Sequence, residues 1–437
     1  MINFKSEQFG FKKYPSQEGL IAVKKKTRLS ASSSKKFSVK EKREYINSDA
    51  QSSLKVEDLK FAGFEEVPIH EKKFSTNDII KDKPIYNRMG HIGAYILYPN
   101  KKRDLDHAIE ILANDYDIIP NIMAYMPPTV KTEIRGDRRN QEITFPKESA
   151  IELARNQGIS GLGVMVGVLD TGCDADHWQF RDQHIHYRYV NPLDPRHLRK
   201  VRGFDTDGHG THVCGIIAGA DYGVAPDVEM CVASVIESET SRTALERIVT
   251  GLDWFTKHIS SQENSEKPAI LNLSLGFLDF YLSPSEKQLL NTVIGQLLDT
   301  LLYDLDVLPV VAIGNEGPGI SRSPGNFPSV LSVGSVSDKL QPSSFSGGGT
   351  LNGRTVPDLV GFGDEIYSSL ERSPQNRSIY AEKSGTSMAT PYVTGIAALV
   401  AQKYGISGLD LKNHLLRNTL NLAYPQDRVG QGLARYK

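Results

Sequence analysis

The chain is poor in cysteine, with three in 437 residues: Cys173, Cys214 and Cys231. An odd, small number argues against a disulfide framework and fits a reducing compartment. Long apolar runs are also missing. No stretch reaches the ~18 consecutive apolar residues that a membrane span needs. The opening MINFKSEQFGFKKYPSQEGL contains no signal-peptide core. These absences lead us to expect a soluble, cytoplasmic protein with no membrane partner. Charge excess is absent too: 51 Lys and Arg stand against 52 Asp and Glu, a net charge of −1. That excludes a general polyanion binder, so nucleic acid is not an expected partner. The length allows one large domain of roughly 250–300 residues and a smaller part.

Residues 1–59 are rich in Lys and Ser and poor in periodic apolar positions, which predicts a flexible basic segment. Residues 60–130 read as a small α+β unit: strand HIGAYILYP (91–99), helix DLDHAIEILAND (104–115), strand DYDIIPNIMAYMP (115–127). Prolines, a glycine and several charges over 127–141 predict an exposed linker, placed at 131–141 between the two domains. From 142 to 437 apolar strands alternate with helical patterns. The strands are GVMVGVLD (163–170), VEMCVASVI (228–236), AILNLSLG (269–276), VLPVVAIG (307–314) and VLSVGSV (330–336). The helices are 242–259 and 285–304. Apolar strands separated by helices predict an α/β fold, a parallel central sheet with helices on both faces. Ligands of such sheets bind beyond the carboxyl ends of the strands.

Polar residues cluster at those ends. Asp170 ends a buried strand, where a lone Asp is most often a cap or turn residue. In TDGHGTHVCGIIAG (206–219), His209 and His212 sit among glycines before a helical run. H-x-x-H lacks the i, i+4 spacing and the glutamate of the helical zinc signature, so no metal is expected and His209 reads as a general base. Asn315, in VVAIGNEG (310–317), carries a neutral, short amide suited to an oxyanion. The stretch KSGTSMATPYVTG (383–395) places hydroxyls at a helix start. Capping alone explains such residues; a nucleophile would need partners elsewhere.

LDTG around Asp170, GHGTHV around His209, the SLG triplet 274–276, GNEG around Asn315 and GTSMATP around Ser387 occur in that order. Together they resemble the subtilisin-like serine proteases, over residues 140 to 405. The resemblance implies a serine endopeptidase. Ser387 is then the nucleophile, His209 the base and Asp170 the residue that orients it. Asn315 and the Ser387 N–H form the oxyanion hole. Leu273, Ser274, Leu275 and Gly276 line the cleft as an edge strand that pairs with an extended polypeptide substrate. Ala312, Ile313 and Gly314 make the other wall of a primary pocket whose small residues suit a medium or large apolar side chain. The resemblance implies that residues 60–130 are a prosegment, so the chain's own N-terminal region is expected to act as folding assistant or inhibitor; a fixed accessory domain that is never cleaved is the alternative. Processing is expected near 127–141. A silent subtilase fold used for binding is the alternative.

Some features depart from the family. The asparagine-rich loop that helps hold a tight calcium ion is absent after the His209 helix, and no clustered Asp/Asn signature marks another site. No cofactor is expected. Tyr392 follows Pro391 where histidine is common, which suggests packing. Cys173 and Cys214 flank the triad, and bulky thiol reagents are expected to slow the enzyme if they reach them.

Overall fold

The structure is a computed structural model that describes residues 19–25, 38–44, 56–69, 84–99, 102–126, 129–136, 145–238, 240–277, 283–351, 353–373, 375 and 377–437. Eight strands form the central sheet. Their order is Leu198–Arg199, Ile185–Val190, Glu229–Ser234, Met165–Asp170, Ala269–Leu273, Val307–Ala312, Leu331–Val336 and Leu359–Phe362. Only the first pair is antiparallel; every other neighbour is parallel. Met165–Asp170, Ala269–Leu273, Val307–Ala312 and Leu331–Val336 are buried at every position, which is why they read as continuous apolar runs. Ile185–Val190 and Leu359–Phe362 escaped the sequence reading, the first because polar residues dilute its apolar pattern.

Two cores lie on the two faces of the sheet. One packs helices His209–Ala218 and Thr386–Tyr404 against it. The other packs Leu245–Ile259 and Pro284–Asp299. The expected helix at 242–259 begins three residues late, because Arg242–Ala244 is a strand. The expected helix at 285–304 widens into a π turn over Thr300–Asp304.

The small unit is a five-stranded sheet in the order Glu65–Glu66, Ile85–Met89, Ala94–Tyr98, Leu20–Lys24, Tyr116–Pro120. Leu20–Lys24 corrects the expectation of a flexible segment over 1–59. It pairs antiparallel with a strand on each side. Leu20 and Ala22 pack with helix Lys102–Leu112, while Ile21 and Val23 join the core beneath Leu245–Ile259. A strand buried on both faces with only LIAV apolar is too short to stand out in a Lys-rich background.

Residues 39–44 are helical as well, and Arg43 is wholly buried. Its guanidinium donates to the carbonyls of Leu305, Ile259, Asn264, Ser265 and Lys267. Residues 1–18, 26–37 and 45–55 lie outside the described residues, as do 127–128 and 137–141 of the expected linker. Within that linker, Lys131–Gly136 forms an exposed strand against Ile379–Ser384 instead of an unpaired stretch.

Candidate active site

Asp170, the last residue of Met165–Asp170, points out at the carboxyl end of a central strand and is fully buried. His209 opens its helix directly after Gly208, whose φ of 92° only glycine adopts without strain. The His209 Nδ1 lies 2.8 Å from Asp170 Oδ1, both side chains fully buried. The Thr171 N–H donates to the same oxygen at 2.7 Å. Burial pushes the Asp170 pKa upward, while His209 and the Thr171 N–H pull it down. An ionised Asp170 accepts from Nδ1–H, which fixes the tautomer and leaves Nε2 as the basic nitrogen. His212 serves elsewhere: its Nε2 lies 3.1 Å from the Ala381 carbonyl. The two imidazoles of H-x-x-H thus have separate partners.

Ser387 is the second residue of helix Thr386–Tyr404, beyond an extended Gly385. Its Oγ donates to the Ser274 carbonyl at 3.5 Å, a weak contact. The Ser274 Oγ donates in turn to the Ser387 carbonyl at 3.2 Å. Pro391 explains that second bond. It lies inside the helix, four residues after Ser387, and has no N–H for that carbonyl. Ser274 supplies the missing donor and thereby ties the SLG wall to the Ser387 turn.

The Asn315 Oδ1 accepts from both the N–H and the Oγ of Thr386, each at 2.8 Å. With its oxygen held on the residue before Ser387, the amide is locked and its NH₂ is turned away from Thr386. A Cβ on Gly385 would come within 3.1 Å of Asn315 Nδ2, so glycine there leaves that amide room. Asp170, His209, Ser387 and Asn315 therefore all stand at strand ends or helix starts on one rim of the sheet.

Leu273 ends its strand, and Ser274–Gly276, the expected cleft wall, follow it. Tyr125 of the chain itself pairs with that wall. Its N–H donates to the Gly276 carbonyl at 2.8 Å, and the Gly276 N–H donates back at 2.8 Å. Met123–Tyr125 also pairs antiparallel with Arg242–Ala244. That second wall escaped the sequence reading, because its three residues merge into the following helical pattern. The Val130 N–H donates to the Ser384 carbonyl at 2.8 Å. Ser384 lies three residues before Ser387.

Ala312, Ile313 and Gly314 follow the strand Val307–Ala312, and Gly314 has a φ of 112°. Arg322, buried and ion-paired with Glu316, lies against both Gly276 and Gly314. Sequence reasoning missed Arg322, which sits in a loop with no periodic signal.

Tyr392 is buried among Phe145 and Phe362, and its hydroxyl donates to the Ala434 carbonyl, a packing role. Cys173, Cys214 and Cys231 are buried, and burial pushes all three thiols upward. Among the described residues, His186, Glu229 and His258 could together hold a metal ion. They lie at the opposite, amino end of the strands, and Lys267 already pairs with Glu229 at 2.6 Å. No described helix is long and apolar enough to cross a membrane.

Residues 161–433 match the model of the subtilase family. The chain is 41% identical over 373 residues to the subtilisin-like protease PopC of Myxococcus xanthus, covering 80% of this chain and 77% of the relative. It is 31% identical over 292 residues to the major intracellular serine protease of Bacillus subtilis, covering 63% and 82%. Subtilisin DY of Bacillus licheniformis is also 31% identical, over 278 residues, covering 61% and 87%.

Proposed function

The chain belongs to the subtilase family and is a subtilisin-like serine endopeptidase, and from that premise we propose that Asp170, His209 and Ser387 carry its chemistry. The observation that carries this reading is the buried pair of His209 Nδ1 and Asp170 Oδ1 at 2.8 Å. Ser387 attacks the scissile carbonyl of an extended polypeptide. His209 Nε2 takes the hydroxyl proton and returns it to the leaving amine. Asp170 stabilises the imidazolium that forms between those transfers. The developing oxyanion is met by the Asn315 NH₂ and the Ser387 N–H. The start of a 19-residue helix adds positive potential there. Water then releases the acyl group by the same route in reverse.

The N-terminal region restrains this enzyme. Met123–Tyr125 lies between the two cleft walls as a substrate strand would, with the backbone pairing that β-augmentation requires. The five-stranded unit that delivers it fits a prosegment that assists the slow closure of a non-local parallel sheet. Self-processing falls within residues 127–141, where Val130 is tied to Ser384, three residues before Ser387. A cytoplasmic setting is supported by the free buried cysteines and by the intracellular serine protease of Bacillus subtilis among the relatives. No cofactor enters the mechanism.

Kinetics on a peptide substrate test the roles. Ser387→Ala should lose activity by about 10⁶. Asn315→Ala should lose about 10²–10³ in kcat and keep a measurable trace, as measured in a subtilisin. Equal losses in the two variants overturn the assignment.

A further inference from the structure

Arg322 lies between the two walls assigned to the primary pocket. Gly276 stands on one wall and Gly314 on the other. A Cβ on Gly276 would meet Arg322 Cβ at 3.3 Å and Cδ at 3.5 Å. A Cβ on Gly314 would meet Arg322 Cγ at 3.0 Å and Cδ at 3.3 Å. The arginine stem therefore touches both walls. Its backbone bridges them as well. The Arg322 N–H donates to the Ile313 carbonyl at 2.9 Å, and the Phe277 N–H donates to the Ser323 carbonyl at 2.7 Å.

The guanidinium is only partly used. Arg322 Nε donates to Glu316 Oε1 at 2.8 Å, and Nη2 donates to the same oxygen. Glu316 Oε2 accepts the Asn315 N–H at 3.0 Å. Arg322 is 5% exposed, and its Nη1 is buried with no partner among the described residues. A buried cationic NH₂ without an acceptor is costly, so a ligand group that supplies one is strongly favoured over one that does not.

We propose that Arg322 selects the residue on the acyl side of the cleaved bond, so that the enzyme cuts after glutamate and glutamine, whose side chains bring an acceptor oxygen to Nη1. The proposal rests on the protease reading above and names its substrate class. The Arg322–Glu316 pair is neutral as a unit, so the pocket offers donors without a net charge. A leucine or phenylalanine in the same place leaves the donors unmet and strips them of water.

Arg322 is a specificity residue, and its test is a ratio. Matched peptides with Glu, Gln, Leu or Phe before the cleaved bond are given to the full chain, and kcat/KM is compared. Covering of the cleft by residues 123–126 lowers all rates by one factor and leaves the ratios unchanged. The expected result is a preference of roughly tenfold or more for Glu or Gln over Leu and Phe. Arg322→Met, which keeps the stem and removes the donors, should bring that ratio to one or below while the leucine peptide is still cut. A wild-type preference for Leu or Phe overturns the proposal, as does an unchanged ratio in Arg322→Met. Failure to cut any peptide, with no covalent labelling of Ser387 by a fluorophosphonate, overturns the protease reading itself and this one with it.

Discussion

Asp170 shows how much a single contact decides. Its carboxylate is buried, which by itself favours protonation, yet it faces His209 Nδ1 at 2.8 Å and the Thr171 N–H at 2.7 Å. Asp170→Asn keeps the shape but can present an N–H where an acceptor is needed, turning the imidazole to its other tautomer. The expected loss in kcat is about 10⁴, the size known for this change in another triad protease, with KM little altered. Steady-state kinetics read it, and a loss below tenfold would show that His209 does not depend on Asp170. Sequence made these residues legible because each sits where a periodic pattern stops: a strand end for Asp170 and Asn315, a helix start for His209 and Ser387. Arg322 was illegible for the converse reason, since it comes from a loop and matters only through where that loop folds. Position along the chain also placed Cys173 and Cys214 correctly beside the triad. Only the structure shows them buried, with raised pKa values that argue against attack by bulky thiol reagents.

At the scale of elements, helix Leu245–Ile259 is the seat of the small unit. Asp253 accepts the His91 N–H at 2.8 Å, and Glu246 accepts the Tyr98 hydroxyl at 2.8 Å. Burial raises Asp253 and Glu246 to about 7 from ordinary values of 3.8 and 4.5. The seated state therefore holds more protons than the released state between those values, and seating weakens as pH rises from about 4 to 7. His91 opposes this. Burial lowers it from 6.5 to about 4, so below pH 6.5 it takes up a proton only on release. Two carboxyls outweigh one imidazole, and above pH 6.5 only the carboxyls act. Asp253→Asn removes one of the two titrations. In a Ser387→Ala background, its melting temperature should match the parent near pH 4 and exceed it near pH 8. A variant less stable than the parent at pH 8 would show that the Asp253 charge helps seating. The sequence revealed the helix but not its load, because a carboxylate facing another domain looks like any solvated face. The strand Leu20–Lys24 was hidden similarly: its partners lie more than 70 residues away.

The whole molecule is held together by contacts that read as unrelated along the chain. The N-terminal region touches the peptidase at the cleft, through Tyr125 and Gly276. It touches again at Leu245–Ile259 and a third time through Arg43, buried among five backbone carbonyls while Lys42 pairs with Asp306 at 3.0 Å. Burial lowers the Arg43 pKa to about 10, still charged at neutral pH, so breaking this clamp would strand a cation or expose the carbonyls. Three such anchorages can hold this unit on the peptidase after the connecting chain is cut. The proposed catalytic centre depends on one property: activation of the Ser387 hydroxyl by the His209 imidazole. The most direct measurement is fluorophosphonate labelling of the full chain, with the modified peptide located by mass spectrometry. The account predicts one phosphonylated residue, Ser387, with labelling abolished in His209→Ala. Labelling at another serine, or equal labelling of Ser387 in His209→Ala, would contradict it.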